Sequence, residues 1–447
     1  PFWLKPAWRP GAKLARAPAL PSSHQPGASA MEIAARLAVS GEAVGTARMR
    51  PTDLVRDLRD ELAAGSSQLG EARCCLLGDS GAVLPEGATL VAAGLYDGAS
   101  VLVVRCSGRR RVVTASNDNS ACIWDRETGG VELALTGHFG QVYAAVLSPD
   151  GRRVVTASED RSARIWSAET GECHCILQGH MGEVYSAVFS PDGRYVVTAS
   201  EDDSAKLWCA GSGTCEYTFE GHTDDVFLAT FSAVGTTVLT ASSDGTARLW
   251  GGWMGDKSGA WAQELRGHGG MVCRAEYAPD GSMVVTASAD GTARLWRAPG
   301  GELMHCLVGH SAAVKFAAFD ARGGRVVTAS DDGTARVWCA STGECACALQ
   351  GHGDLVYMAA FSPDGGLVIT ASEDSDARLW RSDDGGLVHV LSGHGDSVSW
   401  AEFSGDGRQV ATASWDGTAK LWCCSSAACL ESFEGHAGPV NYVELGG

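Results

Sequence analysis

Along most of the chain apolar and polar residues alternate in short runs, each broken by Gly, Asp or Pro, the pattern of half-buried strands joined by tight turns. From Arg109 onward one unit recurs. A strand such as "VYAAVLS" follows Gly-His, a Pro-Asp-Gly turn leads to "RRVVTAS", and an Asp-containing turn leads to "SARIW". A Gly turn and a last strand such as "CHCILQ" reach the next Gly-His. Each unit therefore predicts four antiparallel strands.

The marker residues keep register over the whole stretch. Tryptophans stand at Trp124, Trp166, Trp208, Trp250, Trp296, Trp338, Trp380 and Trp422, and Gly-His histidines at His138, His180, His222, His268, His310, His352, His394 and His436. Every spacing is 42 residues except one of 46, where four extra residues lie within "GGWMGDKSGAWAQELRGH". A period in the forties with Gly-His and Trp signatures is that of a β-propeller of four-stranded blades.

On these residues the stretch from 107 to 447 closely resembles the WD40 repeat family, and the resemblance covers about three quarters of the chain. The Asp that names the family follows Trp only at Asp125. Seven complete units run from His138 to Trp422, preceded by a unit lacking its Gly-His (Arg109 to Leu135) and followed by one lacking its Trp (Gly435 to Leu445). The fragments are complementary. With "PVNYVEL" as innermost strand and "RRVVTAS", "SACIW" and "VELAL" as the other three, they form one blade, and closure removes two exposed sheet edges. The expected fold is mainly β, an eight-bladed propeller closed by strands from both termini.

Ser or Thr, His and Asp recur in every unit, which taken singly would suggest a hydrolase triad. An active site is built once, however, and these groups are repeated. The resemblance implies a structural chain instead, from Asp118, Asp160, Asp202, Asp244, Asp290, Asp332, Asp374 or Asp416 through His and a hydroxyl to the Trp indole. The "T" and "S" of "VVTAS" both remain candidates for that hydroxyl, and the eighth set would join His436 to Asp118 and Trp124.

Positions that differ between near-identical units are released from packing and available for recognition. Two such sets are expected on the face around the channel. One follows the first Val after Gly-His: Tyr143, Tyr185, Phe227, Cys273, Lys315, Tyr357, Ser399 and Asn441. The other precedes the turn Asp: Asn117, Glu159, Glu201, Ser243, Ala289, Asp331, Glu373 and Trp415. The resemblance implies peptide contacts there, and aromatic anchors beside carboxylates suit an Arg- or Lys-bearing segment. A propeller enzyme would need a unique polar cluster in the channel, and the repeat pattern displays none. The protein is thus expected to be a non-catalytic scaffold for protein partners. His24, His174, His305 and His389 fall outside the Gly-His positions and read as surface residues.

The N-terminal part follows another pattern. From Met31 two alternating segments, "MEIAARLAV" and "VGTARMRP", precede "TDLVRDLRDEL", with Leu54, Val55, Leu58 and Leu62 at helical spacing, and short strands follow at "RCCLLG" and "ASVLVVRC". Residues 31–106 resemble ubiquitin, on "MEI", Pro51 with Asp53, "LLGDSGAVL" and "ATLVAAGLYDGASVLVVR", which implies an α+β β-grasp domain. The chain continues as "CSGRRR" where a conjugating Gly-Gly would stand, and Cys75 takes the place of an isoleucine in the recognition patch, so a fixed module is expected. Docking to ubiquitin or proteasome machinery, with the propeller holding substrate, is the alternative function. Residues 1–30, rich in Pro and Ala with no acidic residue, read as a disordered extension, or else as a targeting peptide.

Composition narrows the partners. The net charge of −18, from 53 acidic and 35 basic residues, opposes a phosphate backbone, so no nucleic acid is expected. No apolar run is long enough to span a bilayer, and no membrane partner is expected; the default location is the cytoplasm, with the nucleus as the alternative. No cofactor or metal is implied, because the sixteen cysteines lack zinc-ligand spacing. Cys209, Cys339 and Cys423 each have a second cysteine six residues on (Cys215, Cys345, Cys429), which could lie opposite across a hairpin, or all six are free thiols filling small slots.

Overall fold

The computed structural model describes residues 111–253 and 261–446, together with strands at Met31–Leu37, Ala43–Met49, Cys74–Leu77 and Ser100–Arg105. The four N-terminal strands form one sheet. Met31–Leu37 pairs antiparallel with Ala43–Met49 and parallel with Ser100–Arg105, which in turn pairs antiparallel with Cys74–Leu77. The helix expected over "TDLVRDLRDEL" and the extension of residues 1–30 lie outside the described residues.

Gly108–Gly447 forms a separate unit of eight four-stranded antiparallel sheets. Blades 1 to 7 begin with Val142–Leu147, Val184–Phe189, Val226–Phe231, Val272–Tyr277, Val314–Phe319, Val356–Phe361 and Val398–Phe403. Blade 8 is the composite one. Val440–Leu445 pairs with Arg111–Ser116, which continues into Ser120–Asp125 and Val131–Thr136. First strands of neighbouring blades touch and fourth strands do not, so the first strands line the central channel.

Burial explains why the second strand varies least. In "RVVTAS" and its counterparts the five residues after the first are buried on both faces, as expected of a strand enclosed by neighbours on every side. Between blades, the repeat Trp of one sheet packs against the outer strand of the one before, as Trp124 does on Phe433 at 5.7 Å and Trp250 on Phe219 at 5.5 Å. The glycine of Gly-His lies beside that ring. Gly179 holds φ +156°, and a Cβ there would stand 3.3 Å from Trp208.

The six paired cysteines do not face one another. Register sets Trp208, Trp338 and Trp422 opposite Cys215, Cys345 and Cys429. Cys209, Cys339 and Cys423, one residue further along, therefore point to the other side of the sheet, and all six are free thiols.

Candidate interaction face and the network beneath it

In every blade the turn between the second and third strands is anchored by one chain of hydrogen bonds. In blade 1 the His138 Nδ1–H donates to Asp160 Oδ2 at 2.8 Å, the Thr156 hydroxyl donates to His138 Nε2 at 2.7 Å, and the Trp166 indole N–H donates to Thr156 Oγ1 at 2.9 Å. The indole can only donate and the Asp carboxylate only accept, which makes Thr the relay between Trp and His. Blade 8 reproduces it across the two ends of the chain, with His436 on Asp118 at 2.9 Å and on Thr114 at 2.7 Å, and Trp124 on Thr114 at 2.7 Å.

The Thr of "VVTAS" is the hydroxyl in the chain, and the Ser has a separate duty. Ser158 Oγ donates to the Gly140 carbonyl and accepts the Asp160 N–H, tying the turn to the start of the inner strand. Burial pushes the Asp carboxyls up, but bonds from the neighbouring hydroxyl, backbone N–H and His outweigh it, so Asp332 and Asp416 fall to about 2. Burial holds His222, His268, His310, His352 and His394 below the ordinary imidazole range, against the pull of their Asp partners. Blade 6 departs in one respect: Asp376 replaces Ser or Thr two residues after the turn Asp, and Arg378 pairs with both Asp374 and Asp376.

Above this network a bulge presents the first variable set. In blade 1 Val142 pairs with Ser158 and Ala144 with Ala157, so Tyr143 is the extra residue and is left out of the ladder. The same register shift ejects Tyr185, Phe227, Cys273, Lys315, Tyr357, Ser399 and Asn441.

The ejected residues fall into distinct groups. Tyr143, Tyr185 and Phe227 form a ladder with centroids 5.8 and 5.6 Å apart. Tyr357 stacks on Trp415 at 5.8 Å and its hydroxyl donates to Glu373 at 3.0 Å. Lys315 meets Asp331 at 3.3 Å. Ser399 and Asn441 have a different duty, binding the Val440 and Val142 carbonyls of the following blades, and so secure blade 8 to both neighbours.

The carboxylates are partly engaged within the face. Glu159 accepts the Gln141 N–H and Glu201 the Glu183 N–H, while Glu183, which the repeat comparison passed over, accepts the Tyr143 hydroxyl at 2.7 Å. Burial and the Glu183 carboxylate raise the Tyr143 hydroxyl well above its ordinary range. Beside Glu201, the carboxylates of Asp203, Asp224 and Asp225 lie within 4.8 Å of one another. Partial burial and repulsion from Asp224, Glu201 and Asp203 raise Asp225. Phe139 and Met181, each directly after a Gly-His, are 88% and 79% exposed and add an apolar margin that the variable sets did not include.

Two other expectations need correction. His305 and His389 are more than surface residues, because their imidazoles bond the Ser341 and Ser425 carbonyls of the next blade. The channel also carries polar residues that the repeat pattern did not reveal, Arg274 with Glu276 beside Phe316 and Trp400, and Glu402 with Glu444 beside Tyr442; Glu276 and Glu444 are engaged by backbone N–H groups, and the two pairs do not form one catalytic constellation. These residues vary from unit to unit and meet only across the ring, which linear spacing cannot convey.

The ring of repeated tetrads under a bulged, variable face defines an eight-bladed β-propeller of the repeat type. The family model "WD domain, G-beta repeat" matches residues 130–167, 171–209, 213–251, 260–297, 301–339, 343–381 and 385–423, and the chain belongs to the WD40 family. Those seven matches are the uninterrupted repeats, and the split blade supplies the eighth sheet. Among solved structures the chain is similar to the computationally designed Ika8 protein, with 27% identity and a TM-score of 0.62, covering 71% of this chain and 94% of that one. No curated protein matches the chain.

Proposed function

We propose that the protein is a non-catalytic scaffold whose bulged face holds Arg- or Lys-bearing segments of partner proteins, chiefly over blades 1 to 3. The observation that carries this reading is the Tyr143–Tyr185–Phe227 ladder beside an acidic cluster whose members already repel one another. A cation seated there relieves that repulsion and gains ring contacts together. Phe139 and Met181 would take an apolar neighbour of the basic residue. Lys315 bonded to Asp331 makes the opposite sector poorer in unspent negative charge. The Tyr357–Trp415 pair with Glu373 is a second, smaller aromatic-acidic seat.

The test is selection from a displayed random-peptide library on the intact chain, followed by rebinding to a Glu201→Lys, Glu373→Lys double variant of verified fold. Enrichment of Arg or Lys beside an apolar residue, lost on charge reversal, supports the reading. Enrichment without basic residues, or rebinding unaffected by reversal, removes it.

A second reading makes the protein an adaptor in ubiquitin or proteasome traffic. It is supported by the N-terminal sheet, whose order places the first and last strands side by side and parallel at its centre, as the ubiquitin resemblance implies. Capture of proteasome or ubiquitin-ligase subunits by the full chain, compared with a chain beginning at Arg109, decides it: equal capture by both discards this role.

A further inference from the structure

The channel cluster crosses the ring. Arg274 of blade 4 lies 4.5 Å over the Phe316 ring of blade 5 and 5.7 Å from the Trp400 ring of blade 7, and Phe316 meets Trp400 at 5.7 Å, bypassing blade 6. Trp400 stacks on Tyr442 of blade 8 at 4.9 Å. Blades 4 and 8 are opposite members of an eight-membered ring, so these four side chains span the channel and end on the strand Val440–Leu445 that completes the circle.

Beside the span, three glutamates occupy one repeat position, two residues beyond Arg274, Trp400 and Tyr442. Two of them accept a backbone N–H of the next blade, Glu276 from Phe319 at 3.2 Å and Glu444 from Leu147 at 2.8 Å, and Glu402 bears on the Leu445 N–H at the corresponding place. Arg274 lies 3.9 Å from Glu276 and so attends the first of them. Glu402, on the blade before, meets the Glu444 charge instead, and both carboxyls bear on the Tyr442 hydroxyl.

We infer that ring closure is proton-linked: Glu402 and Glu444, half-buried on neighbouring inner strands beside the stacked Trp400 and Tyr442, hold the strand Val440–Leu445 best when they carry protons and loosen it when both ionise. Among the described residues, the charged or titratable groups that bear on the pair are each other and Tyr442 on the closing strand, which Arg274 reaches from across the channel; Trp400 and the Leu147 N–H are neutral. Burial raises Glu444 to about 7, and burial with the Glu444 charge raises Glu402 well above the usual carboxylate range. A carboxyl raised on folding favours the folded ring fully below the unfolded-state value of about 4.3, and loses that stabilisation as pH rises through the folded-state value. The pair therefore loses its hold progressively from about pH 4 upward, the loss at Glu444 being nearly complete a little above pH 7.

The experiment compares melting of the full chain with Glu444→Gln and Glu402→Gln between pH 4 and 8.5, alongside hydrogen-exchange protection of residues 440–445 corrected for the intrinsic pH dependence of exchange. Glutamine still accepts the backbone N–H but cannot ionise. Near parity with the parent at pH 4 is expected, with each variant melting roughly 3 °C or more above it at pH 8.5. Protection of the closing strand should fall with rising pH in the parent alone. A constant melting difference across the range, or a variant that follows the parent's loss of protection, overturns the inference. Should one variant fail to fold, the other carries the same comparison.

Discussion

Within each tetrad the threonine hydroxyl is both donor and acceptor, so its loss strands two buried partners. Thr198→Val keeps shape but leaves the Trp208 N–H and His180 Nε2 without a mate, and should cost about 2–4 kcal/mol in denaturant unfolding. Ser200→Ala, which removes a bond to the Gly182 carbonyl at the edge of the network, should cost about 1 kcal/mol. The residue after the turn Asp is Gly245, Gly291, Gly333 and Gly417 in four blades, with φ near +80°, whereas Arg161 adopts +68°. Arg161→Gly should raise stability by up to about 1 kcal/mol, read as a shift in denaturation midpoint. Sequence alone separated neither Thr from Ser nor the channel glutamates from their neighbours. The Thr and Ser of "VVTAS" stand two residues apart and so share one face of the strand, and which of them meets the indole depends on register.

At the level of strands, the repeat was legible because the same residue types return at a fixed period, and blade 8 because its two fragments complement each other. The bulge was not. Its cause is geometric, one residue too many between Val142 and Ala144, and it leaves only a variable position in the text of the chain. Removing residues 436–446 should expose the edge of Arg111–Ser116 and break the Trp124 tetrad, giving a lower melting temperature and concentration-dependent association in size-exclusion chromatography. Of the two cysteine alternatives the free thiols hold and the facing pairs do not, since a six-residue spacing alone cannot say which residue of the strand stands across the hairpin.

Across the whole molecule two sets of titrations oppose one another. The five depressed histidines must be neutral in the folded ring, so their stabilisation is complete above the unfolded-state value of about 6.5 and is lost as pH falls below it. The channel carboxyls act in the other direction. Melting temperature should therefore peak close to neutrality and fall on both sides in a pH series. The net charge of −18 adds a long-range attraction for cations, so any basic peptide selected on the face should lose affinity steeply between 50 mM and 500 mM salt. The split blade has a consequence in time. Thr114 and His436 are separated by 322 residues, and at roughly 5–20 residues per second a ribosome needs tens of seconds to make the second after the first. During that interval the emerging protein presents an unmated sheet edge, and a chaperone that shields nascent edges would have its longest task here.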